Sequence, residues 1–106
     1  MSKELATWAG GSCFEYDGCV KVGTAIHFGK CGKWKQRVTA EQYARLLGHF
    51  RGRTVDIGTS RDNRPEGSVG EWLQKYVCET AIASYVGAIL VEEGYARRDG
   101  SKIQFA

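Results

Sequence analysis

Two Asp-Gly dipeptides, Asp17-Gly18 and Asp99-Gly100, stand towards opposite ends of this 106-residue chain. Each lies between short alternating runs. In that setting Asp-Gly favours a two-residue hairpin turn, because both central residues of the turn need positive φ. The first dipeptide predicts strands at 13–16 and 19–22, followed by a third strand at 24–28, and the second predicts a hairpin over 95–105. β-Structure is therefore expected at both ends of the chain.

Helix signals fill the middle of the sequence. Thr39 with Gln42, and Ser68 with Glu71, have the spacing of a capping box, in which the two side chains bond each other's backbone N–H groups. Apolar residues at i, i+3, i+4 and i+7 follow each box and predict one buried helical face. The first predicted helix spans 39–50, and the second spans 69–77.

A third helix is expected soon after the second. Thr80 can cap its start, and Gly94 can end it in a left-handed conformation. Only Cys78 and Glu79 then separate the second and third helices, which suits a helix-turn-helix corner. A short alternating segment at 53–58 predicts a strand between the first and second helices.

From residue 39 onward the expected order is helix, strand, helix, short turn, helix, strand, tight turn, strand. The segment Leu90-Val91-Glu92-Glu93-Gly94-Tyr95 ends the third helix as Leu-x-x-x-Gly-Tyr and leads into Arg97-Arg98. This order and this ending resemble the winged-helix variety of helix-turn-helix proteins. We therefore expect an α+β protein with a winged helix-turn-helix-like core at 38–106 and an N-terminal antiparallel β extension, a β-hairpin, at 1–37. The two parts would form one compact domain.

The resemblance implies a way of contacting DNA. In that family the third helix enters the major groove, and the wing touches the backbone or the minor groove. Carried over to this chain, the helix contacts are Thr80, Ala83, Ser84 and Gly87, and the wing contacts are Arg97, Arg98 and Lys102. This helix face offers no Arg, Lys, Asn or Gln for bidentate base readout. Some members of the family bind proteins instead.

Charge is unevenly distributed along the chain. The net charge is +3, and residues 1–37 hold six Lys/Arg against three Asp/Glu, whereas 38–106 hold nine of each. The run from Lys30 to Arg37 surrounds Trp34 with cations, which suits phosphate contact with a base stacked on the ring. The alternative is a solvated turn whose Trp packs on the sheet. The full set of predicted nucleic-acid contacts is Lys30, Lys33, Trp34, Lys35, Arg37, Arg51, Arg53, Thr80, Ser84, Arg97, Arg98 and Lys102.

Four soft ligands, Cys13, Cys19, His27 and Cys31, raise the hypothesis of a zinc site. Their spacing departs from the usual one, in which the first two ligands lie two to four residues apart. A tight turn at Asp17-Gly18 would also place Cys13 and Cys19 on opposite faces of the hairpin. We therefore expect no metal and no cofactor, and interpret these cysteines as small, half-buried apolar residues.

The N-terminus lacks the apolar core of a signal peptide, and no apolar run approaches the roughly 20 residues of a membrane span. We expect a cytoplasmic protein with reduced thiols and no membrane contact. The sequence has no phosphate-loop, Gly-x-Ser-x-Gly or His-Glu-x-x-His motif, so an enzyme is not expected.

The leading expectation is a non-enzymatic nucleic-acid-binding protein, a small regulator that binds double-stranded DNA. The alternative is a protein-binding inhibitor module of phage or mobile-element type, similar to anti-CRISPR proteins, that blocks a host nucleic-acid-handling complex. The high glycine content, with 14 Gly, and the nearly uncharged face of the third helix favour this alternative. A third hypothesis is a structural domain that forms a homodimer.

Overall fold

The structure, a computed structural model, describes residues 3–29, 33–59 and 65–106. Strands and helices pack together in this part of the chain, which confirms the expected α+β class. The strands are β1 (Lys3–Ala6), β2 (Cys13–Cys19), β3 (Gly23–Phe28), β4 (Trp34–Thr39), β5 (Thr54–Asp56), β6 (Ala96–Asp99) and β7 (Lys102–Phe105), and the helices are α1 (Ala40–Phe50), α2 (Val69–Tyr76) and α3 (Ala83–Glu92).

The strands form two antiparallel sheets. The N-terminal sheet has the order β1-β2-β3-β4, and the C-terminal sheet has the order β5-β7-β6. Side chains alternate across a strand, so Phe14 and Tyr16 of β2 and Ile26 of β3 share the buried face of the N-terminal sheet. The opposite face of this sheet is open and polar.

The first predicted hairpin turn is wrong. Asp17 and Gly18 lie inside β2, and the chain reverses at residues 20–22 instead. Gly18 has φ +86°, and a Cβ there would collide with the carbonyl oxygen of Gly23 on β3. Glycine is therefore needed at this position for close approach of two backbones and not for a turn. The reversal follows Val20, whose side chain is 3% exposed and belongs to the core.

The predicted capping box is confirmed for the first helix, and in the second helix only half of it forms. The Thr39 side chain accepts a hydrogen bond from the Gln42 N–H, and the Gln42 side chain accepts one from the Thr39 N–H. Ser68 accepts from the Glu71 N–H, while the Glu71 carboxylate accepts from the N–H of Gly67. These bonds satisfy N–H groups that a helix start leaves without partners.

The start of α3 differs from the prediction. Thr80 does not cap the helix, which begins after Ile82 without a side-chain cap. Ile82 is 1% exposed, and its carbonyl accepts from the N–H groups of Tyr85 and Val86, so burial of this residue fixes the first turn. The connection between α2 and α3 therefore spans 77–82 and is longer than the expected Cys78-Glu79.

The described residues of the predicted N-terminal extension (1–37) and of the predicted winged-helix region (38–106) share one hydrophobic core. Its centre is α3, which carries Val86, Ile89 and Leu90, each 0% exposed. A helix that is apolar on most of its circumference must be covered on more than one side. The N-terminal sheet supplies one cover, and the C-terminal sheet supplies another through Ile103 and Phe105. Among the described residues, the longest helix is α1 with 11 residues, so none is long and apolar enough to cross a membrane.

The far end of α3 is tied to the N-terminal sheet by a carboxylate. Glu93 accepts hydrogen bonds from the Tyr16 hydroxyl at 2.8 Å and from the Val20 N–H at 2.9 Å. Burial, followed by the hydrogen bond to Glu93, raises the pKa of Tyr16 far above its usual range, so the phenol stays a donor. These bonds fix the β2–β3 turn over the end of the helix.

Candidate nucleic-acid interface

The basic strand β4 is an edge of the N-terminal sheet, and it pairs with β3 alone among the described strands. Its alternation separates the predicted contacts into two groups. Lys35 and Arg37 share a face with His27 and Ala25 of β3, which is the open face of the sheet. Trp34 lies on the other face, opposite Phe28, yet 59% of its surface is exposed because it projects at the edge.

Charges on the open face form a gradient across the sheet. One cross-strand row runs from Glu4 and Glu15 through His27 to Lys35. Nε2 of His27 lies 3.1 Å from a carboxylate oxygen of Asp17. β3 and β4 contain no Asp or Glu, so the acidic residues of this face lie on β1 and β2.

Three cations, two on β4 and one directly before it, form no ion pair within the described residues. The ion pairs found there join His27 to Asp17, Arg45 to Glu41 and Lys102 to Asp56. None of them includes Lys33, Lys35 or Arg37, which are all exposed. An exposed cation that has no ion-pair partner is available to a phosphate group.

The wing cations have other contacts. The Arg98 guanidinium lies 5.1 Å from the centre of the Trp8 ring, on the inner side of the C-terminal sheet. The ammonium of Lys102 is 3.8 Å from a carboxylate oxygen of Asp56. Arg97 is exposed on the opposite side of β6. The wing therefore presents a mixture of paired and free charges.

The predicted contacts do not form one continuous patch. Trp8 follows β1, which is the edge strand of the N-terminal sheet opposite to β4. Arg98 contacts Trp8 and therefore lies beside that edge. Three strand spacings, about 14 Å, separate it from β4. Arg51 and Arg53 lie between α1 and β5, and the Arg53 guanidinium is 5.8 Å from the ring centre of Phe50. Lys30 lies outside the described residues.

The expectation that α3 offers an open face of small residues is wrong. Ala83 is 1% exposed, and the ring of Trp8 covers Gly87 so closely that an added Cβ would lie 2.9 Å from its Cε3 atom. Ser84 is half-buried, and its carbonyl accepts from the Trp8 N–H at 3.0 Å. Thr80 is exposed in the connection before the helix. The segment around Trp8 thus occupies the face that the resemblance reserves for DNA.

Cys13 and Cys19 do not lie on opposite faces of a hairpin, as a turn at Asp17-Gly18 would have placed them. Because β2 continues through Asp17-Gly18, Cys13 and Cys19 lie on the same face of one strand. They are six positions apart along the strand, which is about 20 Å. No group of three or more potential metal ligands occurs within residues 3–29, 33–59 and 65–106. Cys31 lies outside these ranges.

Two residues that organise this region were missed in the sequence. Trp8 was not assigned a role, and a lone aromatic after a short strand gives little local signal. In the sequence, Glu93 at the end of a predicted helix is most simply explained as a solvated residue. A carboxylate is disfavoured at a helix C-terminus by the helix dipole, so an acid at this position indicates a compensating partner, here Tyr16 and Val20.

Comparisons with models of known protein families, with curated proteins and with solved structures found no match for this chain.

Proposed function

We propose that this chain is a non-enzymatic nucleic-acid-binding protein built on a winged helix-turn-helix core, with β4 as its phosphate-contacting surface. The observation that carries the proposal is the group of exposed cations Lys33, Lys35 and Arg37 beside the exposed Trp34. No acidic residue occurs on β4 or on its neighbour β3. Phosphate contacts of this kind provide most of the affinity of non-specific nucleic-acid binding.

The winged-helix part of the proposal is supported by the order of elements. From α1 onward the chain runs helix, strand, helix, helix, strand, strand. The last two strands, β6 and β7, would form the wing, and β5 pairs with β7 as an edge strand of the same sheet. The proposal differs from the expectation for this family in one respect. Because α3 is covered by the N-terminal sheet, the contact surface is assigned to β4 and not to α3.

A salt titration tests the proposal. Binding to a labelled oligonucleotide is measured by fluorescence anisotropy over a range of salt concentrations. We expect log K to fall linearly with log salt, since each neutralised phosphate releases counterions. Replacement of Lys33, Lys35 and Arg37 by Gln should make that slope shallower by about 2 to 3, because three contacts are lost.

A matched control removes the same charge elsewhere. The variant Arg51→Gln/Arg97→Gln/Lys102→Gln also lowers the net charge by three, and it leaves β4 intact. Its slope should stay close to that of the unmodified protein. If the slope decreased more in this control than in the β4 variant, the interface would have to lie on the C-terminal sheet. Absence of binding to any oligonucleotide at low salt would refute the function.

A second candidate function is a protein-binding inhibitor of a nucleic-acid-handling complex. The observation that favours it is the edge of β4, whose outer side has no partner strand among the described residues. An extended acidic segment of another protein can add to such an edge through main-chain hydrogen bonds. Retention of one stoichiometric protein partner after nuclease treatment of a bacterial lysate would favour this candidate over the first.

A further inference from the structure

Trp34 differs from the other two tryptophans in its exposure. Trp8 is 5% exposed and Trp72 is 9% exposed, whereas Trp34 is 59% exposed at the edge of the N-terminal sheet. The Trp34 ring therefore leaves a large apolar and aromatic surface available to a ligand at this edge.

The Trp34 ring is held in position from one side. Gly29 has φ +81°, and a Cβ on this residue would lie 2.5 Å from Cδ1 and 3.3 Å from Nε1 of Trp34. The backbone of Gly29 therefore packs directly against the five-membered ring. The ammonium of Lys33 lies 5.8 Å from the ring centre. The ring is supported by the protein and still exposes more than half of its surface.

The edge of β4 thus offers two kinds of contact. Trp34 projects on one side of the strand, and Lys35 and Arg37 project on the other. An aromatic ring combined with a row of cations is the arrangement that holds single strands, since bases stack on the ring while cations follow the phosphates. The face of any base can stack, so this mode of contact tolerates many sequences.

We infer that the polymer bound at β4 is single-stranded nucleic acid. One base of the strand stacks on Trp34, and the phosphates of the strand lie near Lys33, Lys35 and Arg37. The inference rests on the nucleic-acid function proposed above and names the substrate class of that site. In a duplex the faces of each base are already stacked on neighbouring bases. Presenting one to Trp34 would require unstacking, whose cost is comparable to the gain from one ring contact.

The experiment compares a labelled oligo(dT) with a DNA duplex of equal length at one salt concentration. The unmodified protein should bind oligo(dT) more tightly. Trp34→Ala should weaken oligo(dT) binding about ten- to a hundredfold, as expected for loss of one base–aromatic stack, and leave duplex binding unchanged. Trp34→Phe should retain most of the affinity for oligo(dT), because the smaller ring still stacks.

The matched control is Tyr76→Ala on α2. Tyr76 is 56% exposed and has the Lys75 ammonium 5.6 Å from its ring centre, so it repeats the Lys33–Trp34 pairing at a distant place in the sequence. This variant should bind oligo(dT) like the unmodified protein. Circular dichroism of each variant verifies the fold. A second readout is tryptophan fluorescence, which oligo(dT) should quench in the unmodified protein and not in Trp34→Phe, because Trp8 and Trp72 are buried.

The outcomes separate the two proposals. Tighter binding to duplex, or equal losses for both polymers in Trp34→Ala, would overturn the single-strand inference and leave the nucleic-acid function standing. A loss of oligo(dT) affinity in Tyr76→Ala as large as that in Trp34→Ala would also overturn it, since the stacking would not be local to β4. Failure of the unmodified protein to bind either polymer at low salt would refute the proposed function itself.

Discussion

Substitution of Gly87 by Ala tests whether the N-terminal segment lies on α3. The added Cβ would be 2.6 Å from Cδ1 of Ile57 and 2.9 Å from Cε3 of Trp8. Carbon atoms that are not bonded pack at about 3.5 to 4.0 Å, so the overlap approaches 1 Å on two sides. The Ile57 methyl can rotate, but the Trp8 ring must shift as a whole, and Arg98 lies over that ring.

Two effects of opposite sign decide the magnitude. Ala is about 1 kcal/mol more favourable than Gly inside a helix. Overpacking of a filled core costs about 1–3 kcal/mol. Gly87→Ala should therefore lower the free energy of unfolding by up to about 2 kcal/mol. Gly48 in α1 provides the matched control, because an added Cβ there meets no atom within 4 Å. Gly48→Ala should raise the free energy of unfolding by about 0.5–1 kcal/mol.

Urea denaturation followed by circular dichroism measures both changes, with the m-value indicating whether the denatured states remain comparable. A third variant isolates the contact. In a Trp8→Ala background, much of the penalty of Gly87→Ala should disappear, which a double-mutant cycle records as a coupling energy. Equal stabilisation by Gly87→Ala and Gly48→Ala, or no coupling with Trp8, would refute the packing of this segment on α3.

Three further predictions concern single contacts and use the same urea assay. Glu93→Ala removes the acceptor for the Tyr16 hydroxyl and the Val20 N–H and should lower the free energy of unfolding by about 1–3 kcal/mol. Glu93→Gln keeps an amide oxygen as an acceptor and should lower it less. Equal losses in the two variants would contradict this role. Burial raises the pKa of Tyr16 and Tyr43 above the ordinary value of about 10. Above pH 10 the unfolded chain releases these protons while the folded protein keeps them. The free energy of unfolding should therefore keep its full tyrosine contribution below pH 10 and decrease above it. Replacing both tyrosines by Phe should flatten that fall, and an unchanged slope would contradict the assignment. Thr39→Ala should cost about 1 kcal/mol, and no change would show that the cap contributes nothing.

The elements that could be predicted from the sequence depend on neighbouring residues. Thr39 and Gln42 form their capping box through bonds three residues apart, so the pattern alone sufficed. The second hairpin forms where its local signal predicts one, with Gly100 at φ +62°, although its turn residues are Gly100 and Ser101 because Asp99 pairs with Lys102 in the strands. The first hairpin does not, because burial of Val20 and its bond to Glu93 outweigh the turn preference of the dipeptide within β2.

The residues of the candidate site were identified in the sequence, whereas their arrangement was not. Cations around Trp34 are visible as a local run, and strand alternation explains why Lys35 and Arg37 lie on the face opposite to the ring. The cover over α3 could not be predicted. It depends on Trp8, which is 79 positions away from Gly87 in the chain and meets it only after folding.

The Tyr16–Glu93 hydrogen bond joins residues 77 positions apart, and this separation has a consequence for synthesis of the protein. Strands β1 to β4 pair only with sequence neighbours, so they can meet as soon as they leave the ribosome. Helix α1 can cover part of their apolar face, where the Tyr43 hydroxyl bonds Thr24, but the part that packs against α3 stays uncovered until residues 83–92 have been translated. A nascent chain stalled before residue 83 would expose Phe14, Tyr16 and Ile26, and chaperones recognise such surfaces. The strands of the N-terminal sheet can therefore pair early, whereas the sheet acquires its full cover only after α3 has left the ribosome.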